Sequence, residues 1–381
     1  MNLEKISTLL ENRSKLPLAF SIETPEGKSI AIGGENPEFK IIIRNKEGLK
    51  ALKSLNELKI AEAYVNGDLE VEGDFIKAVS LRDALSDRNT WLKLWRRLAP
   101  VIFGRVKLNP QWIAKHYDLN NIQLEIIDYK YKTYTQGIYE SEDTSAEEGA
   151  ERKLDFAFQS LGLEPGDSVL DVGCGWGGFV RFAASRGVHV TGITLSRDQT
   201  RYVEDLINDN GFDAEVLYQD FFTFQPEKKY DGIVMMGVLE DLSDYVRVMD
   251  KLPGLLKPGG RIYLDFTATK KSFSTASFTT KYIWPGTFRP VYMPQFIDAI
   301  RKSPFEIVAL YNDRRNYYIW SKKGHERWMQ KREELINKTD ERFWRMFRII
   351  LAGAASNQSS PTYFTTAYRM LLEFPEDLIA D

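Results

Sequence analysis

At 381 residues, with 43% hydrophobic and 28% charged residues, the chain has the composition of a soluble protein and the length of two domains. A formal net charge of −3 gives it no overall attraction to nucleic acid or to anionic lipid. One cysteine, Cys174, excludes an intrachain disulfide and points to a reducing compartment; three scattered histidines make no metal site, so none is expected. Residues 1–17 mix charged and apolar side chains, unlike a secretory leader, and no uncharged run approaches the roughly 20 residues that span a bilayer. A cytoplasmic protein, in part peripheral on the inner membrane face, is expected.

Residues 1–85 read as a small α+β module. Strand-like content covers 18–22 and 39–44, and Thr24-Pro-Glu-Gly27 makes a turn between potential strands. Helical spacing follows over 47–55, 59–66 and 75–85. Residues 86–109 form a connector. On a helix its Trp91, Leu94, Trp95 and Leu98 share one face, and Lys93, Arg96 and Arg97 another. Five basic residues and no acidic one lie between 91 and 107, a combination that suits a membrane interface or a linker helix packed on its neighbour. Pro100 must end or bend that helix.

The catalytic domain is expected over 110–381, with its core over about 150–323. Residues 169–178, Val-Leu-Asp-Val-Gly-Cys-Gly-Trp-Gly-Gly, run from an aliphatic strand into a glycine-rich turn, and an apolar helix pattern follows over 179–184. Such a turn lets a ligand approach the backbone and offers it the free N–H groups of a helix start. A dinucleotide site would want an acid about 20 positions later, to hold ribose hydroxyls. The second strand, 188–195, instead ends in Thr194 and Leu195, followed by Ser196, with Gln199 in the next helix. A third strand over 215–220 ends in Asp220, which can accept from an adenine amino group; strands over 230–236 and 260–265 follow. This order fits a methyltransferase better than a nicotinamide enzyme. From residue 327 a charged helix turns apolar and aromatic through 343–355.

The chain resembles the cyclopropane-fatty-acyl-phospholipid synthase family, which includes the mycolic-acid cyclopropane synthases. The resemblance rests on Lys115-His-Tyr-Asp-Leu-Asn120, Thr133-Tyr-Thr135, the glycine loop with Trp176, Gly192-Ile-Thr-Leu-Ser196 with Gln199, Gly237-Val-Leu-Glu240, Lys281-Tyr-Ile-Trp-Pro-Gly286 and Asp340-Glu-Arg-Phe-Trp-Arg-Met346. Residues 61–73, Ala-Glu-Ala-Tyr-Val-Asn-Gly-Asp-Leu-Glu-Val-Glu-Gly, resemble the family's accessory domain. The resemblance implies an α/β fold: a Rossmann-like class I methyltransferase core, a seven-stranded sheet with helices on both faces, and a small α+β N-terminal domain. It implies S-adenosylmethionine as methyl donor and an unsaturated phospholipid acyl chain as substrate, reached at a membrane surface, with a homodimer as family precedent. The rival readings are a small-molecule C-, N- or O-methyltransferase and a catalytically silent lipid-binding homologue.

Alkene methylation leaves a carbocation that must be shielded from water and then lose a proton, so it asks for a dry acyl channel, aromatic faces and a placed base. Tyr282, Trp284, Phe288, Tyr317 and Tyr318 supply aromatic rings that are either channel or core. In the family the base is commonly a bicarbonate held by Cys, Glu, His and Tyr. By resemblance these positions are Gln136, Glu240, Asp265 and Tyr317, with Tyr318 as an alternative register; Asp241 follows the glutamate. Carboxylates in place of neutral ligands would repel an anion, so bicarbonate is not expected and a protein carboxylate is, with Asp265 and Glu240 ahead of Asp241. For the cofactor, the resemblance implies Tyr134, Thr135, Asp171, Gly173, Gly175, Gly177, Thr194, Ser196, Gln199 and Asp220. His116 belongs to a cofactor-covering motif or is a buried structural histidine; His189 is read as structural and His325 as a surface residue.

Overall fold

The computed structural model describes residues 8, 18–34, 36–86, 127, 129–242, 244–270, 276–282, 289–359 and 365–376. The connector helix over 91–98, His116 with its motif, Trp284 and Phe288 lie outside these residues. The chain folds as two compact units, one of residues 1–98, 275–285 and 321–360, the other of 99–274, 286–320 and 361–381.

In the first unit, β1 (Phe20–Glu23), β2 (Ser29–Ile32), β3 (Phe39–Ile43) and β4 (Leu69–Gly73) form one sheet in the order β2-β1-β3-β4. The turn at 24–27 closes the β1–β2 hairpin, with Gly27 at φ +79°. Helices α1 (Lys46–Ser54), α2 (Glu57–Val65) and α3 (Phe75–Ser80) start where side-chain oxygens of Asn45, Asn56 and Asp74 accept from otherwise orphaned backbone N–H groups. Their apolar faces, with Leu52, Ala63, Tyr64 and Phe75, pack on Phe20, Ile22, Phe39 and Ile41 of the sheet.

The second unit opens with α4 (Ala146–Leu161), which a capping box between Ser145 and Glu148 starts and Gly162, in the left-handed region, ends. There follow β5 (Ser168–Val172), α5 (Gly178–Ala184), β6 (His189–Thr194), α6 (Arg197–Asn210), β7 (Ala214–Tyr218), β8 (Tyr230–Met236), α7 (Tyr245–Lys251) and β9 (Leu256–Thr269). Helix α8 (Ser277–Tyr282) belongs to the first unit; β10 (Val291–Tyr292), α9 (Met293–Arg301) and β11 (Glu306–Asn312) return to the second. Helix α10 (Arg314–Gln330) passes into the first unit at Ser321, which also holds α11 (Arg332–Lys338) and α12 (Glu341–Ser359), and β12 (Thr365–Glu373) completes the second.

The large sheet runs β11-β12-β9-β8-β5-β6-β7, and the two-residue β10 adds an eighth strand beside β9. Strands β5 to β9 pair in parallel, whereas β12 is antiparallel to both β9 and β11. Successive residues of the central strands belong to opposite cores, as alternation in a doubly covered sheet requires. Leu170, Ile233 and Ile262 join Val248 of α7 and Phe296 of α9; Val169, Val234 and Tyr263 join Leu154 of α4, Phe182 of α5 and Val203 of α6. This is the expected class I methyltransferase sheet.

Two strand ends differ from expectation. The fifth strand of the core, β9, continues to Thr269, so Asp265 stands inside it because β8 and β12 flank it on both sides. The third, β7, stops at Tyr218, and Asp220 lies in the turn beyond, where its Oδ1 accepts from Phe222 N at 2.8 Å. His325 is not on the surface either. It is buried in α10 with its ring parallel to Phe75 at 6.0 Å, and burial pushes its pKa down to about 4.

The glycine turn is tight in a testable way. A Cβ on Gly178 would lie 2.1 Å from the carbonyl oxygen of Tyr131, whereas one on Gly211, the left-handed cap of α6, meets open space. Gly178→Ala should therefore cost ~3 kcal/mol in a denaturant titration, at the upper end for overpacking, and Gly211→Ala about 1 kcal/mol, for backbone strain alone.

Candidate active site

The C-terminal end of β5 carries the glycine loop. Gly173, Gly175 and Gly177 all have positive φ, at +72°, +54° and +74°. A Cβ on Gly173 would fall 2.6 Å from Val238 Cγ2, but one on Gly175 would meet nothing nearer than 4.0 Å. The loop is held from below, since Gly173 N and Cys174 N both donate to Ile193 O, and it leaves the Gly175 side open to a ligand. Asp171, on the same strand, is buried, and desolvation raises its pKa to about 7 against the opposing charge of Lys153.

Next to the loop lies a group of buried charges. Lys153 projects from α4 into the interior, where Nζ donates to Asp265 Oδ2 at 3.1 Å and to the hydroxyl of Thr135. Neither Lys153 nor Asp265 has any exposed surface. Burial drives the Asp265 pKa up, and Lys153 draws it down. Asp265 Oδ1 has no hydrogen-bond partner among the described residues. On the adjacent strand Arg369 pairs with Asp313 at 2.7 Å, and Asp313 also receives Gln136 Nε2 at 3.3 Å. Gln136, which stands where the resemblance has a cysteine, thus binds Asp313.

Glu240 lies in the turn after β8 and does not start a helix. Its Oε1 accepts from Thr267 N at 2.6 Å and Thr267 Oγ1 at 2.8 Å, while Oε2 has no partner among the described residues. Burial is the largest influence on its pKa, which rises to about 8; Asp241 rises to about 7 for the same reason. Thr267 and Asp265, two residues apart on β9, point to the same face of the sheet. Burial foremost, and then the negative charges of Glu240 and Asp265, push the Tyr317 phenol up. Tyr134 and Tyr317 each set an edge-on contact with Trp320, at 5.7 and 5.5 Å between ring centroids.

Asp171, Tyr134, Thr135, Gln136, Glu240, Asp265 and Tyr317 are therefore gathered at one end of the parallel strands. Thr194, Ser196 and Gln199 form a second group at the end of β6. Hydrogen bonds link them: Thr194 Oγ1 donates to Gln199 Oε1 at 2.7 Å, and Gln199 N to Ser196 Oγ at 3.3 Å, which caps α6. Asp220 caps its own turn. Of the aromatic candidates, Tyr317 and Tyr318 join the cluster around Trp320, but Tyr282 is exposed and donates to Glu62 at 2.7 Å.

Sequence reasoning missed Lys153, Thr267, Asp313, Trp320 and Arg369. Lys153 had a signal: it falls three residues after Ala150 and four before Ala157, on the buried side of a helix, where an unpaired ammonium is untenable. Lys153→Met should cost about 3–5 kcal/mol, because it leaves Asp265 charged and unpaired. Lys153→Met combined with Asp265→Leu should restore most of that loss in the same denaturant titration.

The description of the mycolic acid cyclopropane synthetase family matches residues 106–364, and a domain family of unknown function matches residues 6–88. The cyclopropane-fatty-acyl-phospholipid synthase of Escherichia coli (strain K12) is 27% identical over 338 residues, 86% of this chain and 86% of its own. A probable fatty acid methyltransferase of Mycobacterium tuberculosis is 29% identical over 293 residues, 66% of this chain and 68% of that one. The sphingolipid C9-methyltransferase of Komagataella phaffii is 26% identical over 335 residues, 81% of this chain and 68% of that one. In fold, a cyclopropane synthase from Mycobacterium tuberculosis superposes with a TM-score of 0.64 at 23% identity, over 69% of this chain and 97% of that one. Sheet order, glycine loop and family match together show that the chain belongs to the mycolic acid cyclopropane synthetase family and is an S-adenosylmethionine-dependent methyltransferase.

Proposed function

We propose that the protein methylates a double-bond carbon of an unsaturated lipid acyl chain, and that Glu240 takes up the proton the product loses. The observation that carries this reading is a buried carboxylate, Glu240, with one oxygen fixed and the other without a partner among the described residues, at the end of the parallel strands that bears the glycine loop, in a chain of this family. The E. coli and fungal relatives are named for phospholipid acyl chains and sphingolipids, and chemistry on a lipid chain is common to both.

S-adenosylmethionine, when bound, supplies an electrophilic methyl group. The residues present fit it. Gly173, Gly175 and Gly177 would lie along its amino-acid part, with Asp171, Tyr134 and Thr135 near it. Thr194, Ser196 and Gln199 would face the ribose side, and Asp220 the adenine amino group. The chain's own work is to exclude water and to face the aromatic rings towards the positive charge that develops on the substrate. Glu240 Oε2 then accepts a proton, while Thr267 holds Oε1 in place. Loss from the new methyl with ring closure onto the cationic carbon gives a cyclopropane; loss from a neighbouring chain carbon gives a methyl-branched alkene, and loss from the methyl after a 1,2-hydride shift gives an exocyclic methylene.

Bicarbonate fits this site poorly. A bound anion would oppose the ionisation of Glu240, which must carry charge to act, and the ammonium of Lys153 is already committed to Asp265 and Thr135. Asp265, held by that ammonium, is the less available of the two leading carboxylates.

Lipids from an expressing host, compared by mass spectrometry with a vector control, should gain one CH2 per modified chain. Unchanged lipids, with cofactor binding intact in calorimetry, would overturn the reading. Glu240→Gln should lower turnover by roughly 10²–10⁴-fold with cofactor affinity nearly kept, and bicarbonate added to degassed enzyme should not stimulate the wild type.

The same titration should move activity and stability in opposite directions. Glu240 must be ionised to act, so the rate should climb as pH rises through about 8. The folded protein holds a proton there that the unfolded chain releases at the ordinary glutamate value of 4.5. Its contribution to stability is complete below that value and is lost as pH rises through about 8. Melting temperatures of wild type should therefore decline over this interval, and Glu240→Gln should flatten the decline in part, Asp171 and Asp241 supplying the remainder.

A further inference from the structure

Tyr134 stands in a short segment whose other members are each tied to a buried group. The carbonyl of Thr133 accepts from the phenol of Tyr129 at 2.6 Å. The hydroxyl of Thr135 takes the ammonium of Lys153 and lies 3.4 Å from Asp265 Oδ2, and its methyl sits so close over Gly237 that a Cβ there would come within 2.5 Å. Gln136 Nε2 reaches Asp313, which Arg369 neutralises and Asn316 Nδ2 also contacts at 2.8 Å. Two buried ion pairs thus stand behind two consecutive residues, and Tyr134 comes immediately before them.

Neither Lys153 nor Arg369 is needed as an acid or base, and neither pair adds stability that apolar side chains could not match. What the pairs add is direction. A buried ammonium or guanidinium cannot be left unpaired, so the hydroxyl and amide bound to these pairs have one arrangement rather than several. We propose that Lys153 and Arg369 are positioning residues for Tyr134: each neutralises one buried aspartate, Asp265 or Asp313, and through it holds one of the two residues that follow the tyrosine, keeping its ring against Trp320 at the reacting centre. This rests on the methyl-transfer reading above.

The experiment reads the ring directly. Fluorotyrosine placed at position 134 and followed by fluorine NMR, with S-adenosylhomocysteine present, should give one narrow resonance in the wild type. Lys153→Met, Thr135→Val and Gln136→Leu should each broaden or split it. They should lower kcat by up to about 100-fold, with less change in KM for the methyl donor. In a Tyr134→Ala background the same substitutions should cause little further loss of kcat, because the residue they act through is gone. An unchanged resonance in all three variants would overturn the proposal, as would the full loss of kcat in the Tyr134→Ala background. Should Lys153→Met not fold, Thr135→Val and Gln136→Leu carry the test without disturbing a charge. Should the wild type methylate no lipid, the methyl-transfer reading fails, and the fluorine signal, which needs no turnover, still decides the positioning role.

Discussion

A lysine and an aspartate, both without solvent exposure, face each other at the centre of the second unit, and the layout of the site follows from that pair. Removing either charge from water costs several kcal/mol, and only close contact with the other offsets it. Asp265 sits inside β9 between β8 and β12, so the ammonium of Lys153 must reach the sheet from α4. Helix, strand and the loop of Thr135 are thereby brought to one point. Asp171, two strands away on β5, feels both charges. The open edge of the glycine loop and the group of carboxylates consequently lie at the same end of the parallel strands, where open α/β sheets bind their ligands.

The carboxylates are differentiated by their surroundings. Asp265 has a cation beside it, and Asp313 has another in Arg369. Among the described residues Glu240 Oε1 has the neutral donors of Thr267, and burial raises its pKa to about 8. Groups of one chemical type are thus given different ionisation behaviour by their environments, a pattern that recurs where acid–base catalysis is found. By resemblance Gln136 and Asp265 stand where the family has a cysteine and a histidine, and both are engaged with buried charge. Asp265 is held in an ion pair and Gln136 donates to the aspartate of another, while one oxygen each of Glu240 and Asp265 has no hydrogen-bond partner among the described residues.

The first unit shows the same reliance on buried charge for a structural end. Arg348 lies 3.8 Å over the ring of Phe75 and donates to the hydroxyl of Tyr64, and Arg345 pairs with Glu70 at 2.6 Å. These contacts join α12, far along the chain, to the sheet of the first unit. Nothing in the apolar and aromatic pattern of 343–355 shows which core that helix serves. Its arginines find partners only once β4 and α3 are in place.

Much of the molecule was legible from short stretches. The aliphatic run before Gly173, the three glycines and the apolar helix after them define strand, turn and helix within about a dozen residues, because strand alternation, left-handed φ and helix periodicity are local properties. The strand over 230–236, the hairpin turn at 24–27 and the gathering of Tyr134, Glu240 and Asp265 near the glycine loop could likewise be anticipated, the last through family resemblance. What tertiary structure alone decided is how the charges pair. Lys153 and Asp265 are 112 positions apart, and Gln136 and Asp313 are 177 apart. No periodicity connects residues at such separations. The antiparallel insertion of β12 between β9 and β11 aligns Arg369 with Asp265 and brings it within reach of Asp313. The sequence by itself determined the elements and the kinds of side chain at their ends; which charges are neutralised and which oxygen stays unpartnered was settled by strand order, since Coulomb energy in a buried site depends on distances that only the folded chain defines.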